Sequence, residues 1–299
     1  MDNQILGQIL ALFTALCWAL NSTTYNILGK SIKSSSLAYA RSLLAVPIVF
    51  ILMLCTEGLD ILSISKQSFF ALVFSGVTGY FITDILMFYS YVALGAREAL
   101  VILTFSPVVS AILSNRFFGE QLSAKQWLSV FLIILGIVIM VLDELIKNKG
   151  SRHKDKLIKG LIAAILGAIF QAISYIAAKY ALNDIGPIST NFLRNLSGLL
   201  CFVILSFIPG KTLRQDLVFL KDRKKLIELL FAVVTGPVLG MSFQMLALRL
   251  APVGIVSALS QISPLFMLPI DKVVFKKKIS INSYIGTIIS IVGTILMFI

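Results

Sequence analysis

The chain reads as long apolar runs separated by short polar or basic connections, and ten of those runs are candidate spans. They cover approximately Ile5 to Leu28, Leu37 to Cys55, Phe69 to Tyr91, Ala99 to Arg116, Trp127 to Leu142, Ile158 to Leu182, Ile188 to Ile208, Leu226 to Leu248, Val253 to Ile270 and Ile281 to Ile299. Crossing the hydrocarbon of a bilayer takes roughly 20 helical residues, so these runs predict membrane spans. A backbone inside hydrocarbon must satisfy its own hydrogen bonds, and the runs are too long for barrel strands, so each is expected to be a helix. The first begins Met1, Asp2, Asn3, Gln4, without a basic leader, and has a counterpart in mid-chain. It is therefore expected to be retained as a span.

That counterpart exposes a duplication. A shift of 153 residues lays Gly7, Ala11, Ala15 and Ala19 on Gly160, Ala164, Ala168 and Ala172, and Arg41 on Arg194. A shift of 157 lays Gly79 on Gly236, Ser106 and Pro107 on Ser263 and Pro264, Ser123 on Ser280, and Gly136 on Gly293. The change of offset falls between the second and third spans of each half, where a loop can absorb it. Five is odd, so the second unit must enter the membrane from the opposite side. The expected fold is all-α: ten transmembrane helices as two inverted five-helix repeats around a central cavity, the architecture of alternating-access carriers. The first repeat is placed at 1–146, a basic connector at 147–157, and the second repeat at 158–299.

Composition fits this reading. The chain is 58% apolar and 13% charged, with mean hydropathy +0.95. A soluble domain carries about 25% charge, so a secreted, nucleic-acid-binding or disordered protein is excluded. The net charge of +12 sits in the connections: twenty of the 26 Lys and Arg fall on the side that holds the connections after odd-numbered spans. The positive-inside rule makes that side cytoplasmic, connector 147–157 included, with both termini outside. A bacterial-type cytoplasmic (inner) membrane is the expected location. Cys17, Cys55 and Cys201 imply no disulfide framework. His153, the only histidine, stands in a polar connector without cysteine neighbours. No metal site, cofactor or catalytic set is expected, and the protein is not expected to be an enzyme.

The motifs resemble a known family. Ala93-Leu94-Gly95-Ala96 leads through Ser106-Pro107-Val108-Val109 to Gly119-Glu120-Gln121-Leu122-Ser123 and then Gly136; the second half repeats this as Leu250-Ala251-Pro252, Ser263-Pro264, Ile279-Ser280 and Gly293. Together with Trp18-Ala19 and Arg41 followed by Leu43, Leu44 and Ala45, these resemble two tandem EamA domains of the drug/metabolite transporter superfamily, over essentially the whole chain. The resemblance implies ten helices around a cavity that moves small organic solutes, often outward. Two departures stand out: Lys276-Lys277-Lys278 replaces a common Gly-Glu-Arg, and Ala19 replaces a common glycine. The cytoplasmic termini usually drawn for such transporters also disagree with the Lys and Arg count.

A charge at the bilayer centre costs about 2.5–3.5 kcal/mol, so Asp84 in the third span asks for a reason. Tyr80, Asp84, Met87 and Tyr91 follow i, i+4, i+7, i+11 and form one helical stripe, read as cavity lining. Asp84 is either a site for a substrate ammonium or coupling proton, or the static ion-pair partner of Arg41. Trp18, Asn21 and Tyr25 on the first span, Gln171, Ser174 and Tyr175 on the sixth, Gln244 on the eighth, and Ser257 and Gln261 on the ninth complete a candidate ring of binding groups. The alternative for each is a helix-to-helix hydrogen bond. Pro107 and Pro264 are candidate hinges. Arg194 and Arg249 are expected to snorkel to the outer interface, and Asp143, Glu144, Asp184, Glu228 and Asp271 to stay solvated at span ends.

The expected function is secondary transport of a small polar, zwitterionic or amine metabolite such as an amino acid. Export is the favoured direction, protons are the candidate coupling ion, and the expected state is a monomer or weak homodimer. A membrane-embedded enzyme on lipid-linked substrates and a non-transporting receptor or partner subunit are the alternatives.

Overall fold

The structure, a computed structural model, describes residues 2–106, 108–109, 112–113, 123–147, 154–182, 184–208, 213–250, 256, 259–276 and 279–298. Helix α1 spans Asp2–Gly29 and α2 Ser34–Thr56; α3 runs through Lys66–Gly76, Val77–Ile82 and Thr83–Ala93; α4 begins at Ala96–Leu103. Helix α5 is Ala124–Lys147, α6 Lys154–Ala181 and α7 Pro187–Ser206; α8 runs through Arg223–Val233, Val234–Gly240 and Met241–Leu250; α9 is Ser263–Val273 and α10 Ile281–Phe298. Helices α1, α2, α3, α6, α7 and α8 are each long and apolar enough to cross a membrane, and Ala124–Met140 and Ile281–Leu296 are shorter apolar stretches. Pro107, Glu120 and Ser257 lie outside the described residues.

Side-chain caps and turns fix the ends of these helices. Ser65 caps α3 by accepting from Ser68 N at 3.2 Å, and Asp222 caps α8 by accepting from Lys224 N at 3.0 Å. Ser123 and Gln126 cap α5 reciprocally, and Ser280 repeats the role at α10, accepting from Ser283 N at 3.1 Å. The glycine of the Ala-Leu-Gly-Ala motif has a reason: Gly95 makes the turn between α3 and α4 at φ 115°, a conformation a Cβ would strain.

Packing follows the duplication. Helix α3 lies against α6 and α8 against α1, while α2 packs on α7, α4 on α9 and α5 on α10. Exchanging the halves maps each of these pairings onto another or onto itself. Helices α5 and α10 approach closely because a Cβ on Gly136 would overlap Ser290 and the Gly286 carbonyl. The connections agree as well. After α2, Asp60 accepts from Gly186 N at 2.8 Å and pairs with Ser189, and Glu57 accepts from Ile188 N and Ser189 N at 3.0 and 2.8 Å, capping α7. Before α8, Asp216 accepts from Ser36 Oγ at 2.7 Å and pairs with Lys33 at 3.3 Å, at the start of α2. Ser36 and Ser189 are 153 residues apart, so each half clamps the other with the same device at opposite ends of the bundle.

Two expectations are corrected by burial. Arg194 does not snorkel; it is 0% exposed, on the inward face of α7. Asp271 is not solvated; it pairs with Arg97 at 3.2 Å, and Arg97 Nη2 also reaches Glu98 at 2.6 Å and Ser283 Oγ at 2.9 Å, all four groups being buried. This cluster ties α4 to α9 and α10.

Candidate functional site

Helices α3 and α8 each contain one π-helical segment, Val77–Ile82 and Val234–Gly240, starting 157 residues apart. Such segments release backbone groups from the regular ladder and turn side chains out of register. Their glycines let the two halves meet: a Cβ on Gly79 would overlap Ser174 Oγ of α6, and one on Gly236 would overlap Asn21 Nδ2 of α1. Asn21 and Ser174 are themselves 153 residues apart. Asn191 of α7 joins the two segments, accepting from the Tyr80 hydroxyl at 2.7 Å and donating to the Pro237 carbonyl at 2.9 Å.

Between the two π segments lies a chamber of about 100 Å³, room for several waters or the polar part of a small solute. Trp18, Asn21 and Tyr25 line it from α1, Arg41 from α2, Gly79, Tyr80, Asp84, Met87 and Tyr91 from α3, Gln171 and Tyr175 from α6, Arg194 from α7, and Gly236, Pro237 and Met241 from α8. The Tyr80-Asp84-Met87-Tyr91 stripe thus opens on one space. Gln244 stands one side chain back, its Oε1 3.4 Å from the Tyr175 hydroxyl. Gln261 is buried in the turn before α9 and is not among the lining residues. Pro264 occupies the first turn of α9, immediately after that turn, so it begins a new helix rather than kinking a continuous one.

Arg41 Nη2 pairs with Asp84 inside the chamber wall, and the side chains are 4% and 16% exposed. Both Arg41 and Arg194 sit over the Tyr80 ring, at 4.9 and 5.1 Å from its centroid, and Arg194 also lies 5.6 Å from the Tyr175 ring. Tyr25, 2% exposed, stacks on Phe88 at 4.2 Å, and its hydroxyl has no hydrogen-bond partner among the described residues. The chamber therefore has aromatic walls, two guanidinium groups, one carboxylate and an unused hydroxyl. Sequence reasoning missed Arg194, Asn191 and the π segments. The alignment of Arg194 with Arg41 was the signal for the first, and Pro237 inside the eighth span marks one π segment; no sequence signal marks Asn191 or the π segment of α3.

The sequence profile of the EamA-like transporter family matches residues 5–142 and again 158–299. The chain belongs to the EamA-like transporter family. It is 26% identical over 292 residues to an uncharacterized transporter of Archaeoglobus fulgidus, spanning 97% of this chain and 96% of that one. It is 23% identical over 181 residues to the uncharacterized transporter YyaM of Bacillus subtilis, covering 60% of this chain and 57% of YyaM. A crystal structure of another protein shares the fold, with TM-score 0.64 and 14% identity over 97% of this chain and 94% of that chain. As a member of this family the protein is an integral multi-pass membrane transporter, whose partners are the bilayer and a small-molecule substrate.

Proposed function

We propose that this transporter is a secondary active carrier of small polar metabolites, amino acids or similar zwitterionic or amine solutes, working by alternating access and exporting its substrate. The observation that carries this reading is the chamber itself. Polar side chains from both repeats converge on one chamber at the π segments, and duplicated clamps join the two halves at the ends of the bundle. Exchange of the two halves' conformations would move the opening from one face to the other. Asp84, in contact with both Arg41 and the chamber, is the group that would exchange a coupling proton or a substrate ammonium. Transport needs such a group to switch partners during the cycle.

We place connector 147–157 on the cytoplasmic side of a bacterial-type inner membrane. Arg41, Arg97 and Arg194 are buried and drop out of the Lys and Arg count, two from the larger set and one from the smaller, and eighteen still stand against five.

The test is accumulation by purified protein in liposomes under an imposed pH gradient, with amino acids, nucleobases and amines as solutes. At least one solute should accumulate and be released by a protonophore, and Asp84→Asn should retain solute exchange while losing gradient-driven accumulation. Failure of every solute to move would refute the carrier reading. Accumulation insensitive to the gradient in both forms would remove the proton.

A further inference from the structure

The repeat symmetry is broken at one charged position. In the first half, Arg41 of α2 is neutralised by Asp84 of α3. The equivalent pair in the second half is Arg194 of α7 and residue 241 of α8, where the shift of 157 places a methionine. Arg194 Nη1 meets the Met241 sulfur at 3.8 Å, where Arg41 meets a carboxylate. The other hydrogen bonds of Arg194 are Nε to Ser75 Oγ at 2.8 Å and Nη2 to Ser174 Oγ at 3.1 Å, and its guanidinium lies over the Tyr80 and Tyr175 rings. A guanidinium has five N–H donors, so three are engaged, one of them by a thioether, which is a weak acceptor. Among the described residues no carboxylate lies within 4.0 Å of Arg194. The wall thus holds two cations and one anion, all at membrane depth, where an uncompensated charge is costly.

We propose that Arg194 is the docking group for a carboxylate of the transported solute, which displaces the Met241 thioether and takes the place that Asp84 holds in the first half. This rests on the carrier reading and names its substrate class: a small monocarboxylate, amino acids included, rather than a simple amine. A planar carboxylate matches a guanidinium in two parallel hydrogen bonds. The carboxylate gives Arg194 the counter-charge that Asp84 gives Arg41. The thioether is a suitable stopper because methionine is flexible and repacks readily. The unused Tyr25 hydroxyl gives the rest of the solute a polar contact on the same chamber.

The full-length purified protein, in detergent and in liposomes, is probed with amino acids and short monocarboxylates, each beside its primary carboxamide, and with inorganic phosphate. At least one carboxylate should raise the melting temperature, and its carboxamide should bind about tenfold to a hundredfold more weakly. Arg194→Gln should lose that binding, but it also removes packing. The decisive variant is Met241→Asp, which supplies the missing acid internally. It should fold with an undiminished melting temperature and lose carboxylate binding by the same factor. Unchanged carboxylate binding in Met241→Asp, stabilisation by phosphate in preference to every carboxylate, or no stabilisation by any carboxylate would each overturn the proposal. A cationic or neutral solute that is transported and competed by no carboxylate would overturn it while leaving the carrier intact. No movement of any solute would refute the carrier reading itself.

Discussion

Removing the charge of Asp84 should cost more than removing that of Arg41, although the two form one ion pair. The reason is the third charge. Arg41 and Arg194 both sit over Tyr80, and their distances to its centroid place the two guanidinium carbons at most about 10 Å apart. Asp84→Asn removes the carboxylate's attraction to both guanidiniums and breaks a buried pair, a loss of about 3–5 kcal/mol or more. Arg41→Gln breaks the same pair but also relieves the repulsion between the two cations, about 1.7 kcal/mol at about 10 Å and an effective dielectric of about 20. Arg41→Gln leaves one cation and one anion in the same wall, so it should fall at or below the lower end of that range. The double variant, with only Arg194 charged, should recover roughly 2 kcal/mol or more relative to the sum of the singles. Denaturant unfolding in detergent measures all four forms. Simple additivity, or a larger loss for Arg41→Gln than for Asp84→Asn, would refute the placement of three coupled charges on one chamber.

Other consequences concern packing, closure and pH. Gly79→Ala should destabilise by about 1–3 kcal/mol, because the new methyl overlaps Ser174 Oγ, and Ser174→Gly in the same chain should restore part of the loss; melting curves decide. Asp271→Asn should loosen the Arg97 cluster that joins α4 to α9 and α10, so a cysteine introduced by Leu100→Cys on the chamber wall should react faster with a water-soluble maleimide from that face of the membrane. At the opposite face the hydroxyls of Ser65 and Ser68 hold the Asp184 carboxyl below its ordinary range. A depressed folded-state value means that this contribution to stability is present above the unfolded carboxyl's titration and is lost as pH falls through the folded one. Ser68→Ala should move the Asp184 titration upward, as read by carboxyl NMR.

The sequence carried the spans because a run of apolar residues at the length of a bilayer has few other uses. The repeat was equally plain, since Gly, Ala and Arg recurred at fixed offsets. What the sequence hid was local geometry decided by packing. The π segments at Val77–Ile82 and Val234–Gly240 bring Gly79 and Gly236 against Ser174 and Asn21, contacts that no single-helix pattern contains, and Pro237 alone marks the second as a break in the helix. A lone arginine in an apolar span, such as Arg194, suggests snorkelling to the interface. Yet it lies seven residues into α7, as Arg41 lies seven into α2, and the structure buries both. Nothing in the sequence joins Asp271 to Arg97, which lies at a connection far away along the chain and meets it only in the fold. Gln261 shows the converse: its residue type suited the ring, but the turn before α9 takes it elsewhere.

A chamber that serves both faces of the membrane is the centre of this account, and its accessibility can be measured directly. Leu103, on the chamber wall, is replaced by cysteine in a chain whose Cys17, Cys55 and Cys201 have been changed to alanine, and a membrane-impermeant maleimide is applied to oriented vesicles from one face and then the other. The account predicts labelling from both faces, slowed in each case by a transported solute. Labelling from one face alone, whatever solute is present, would contradict it.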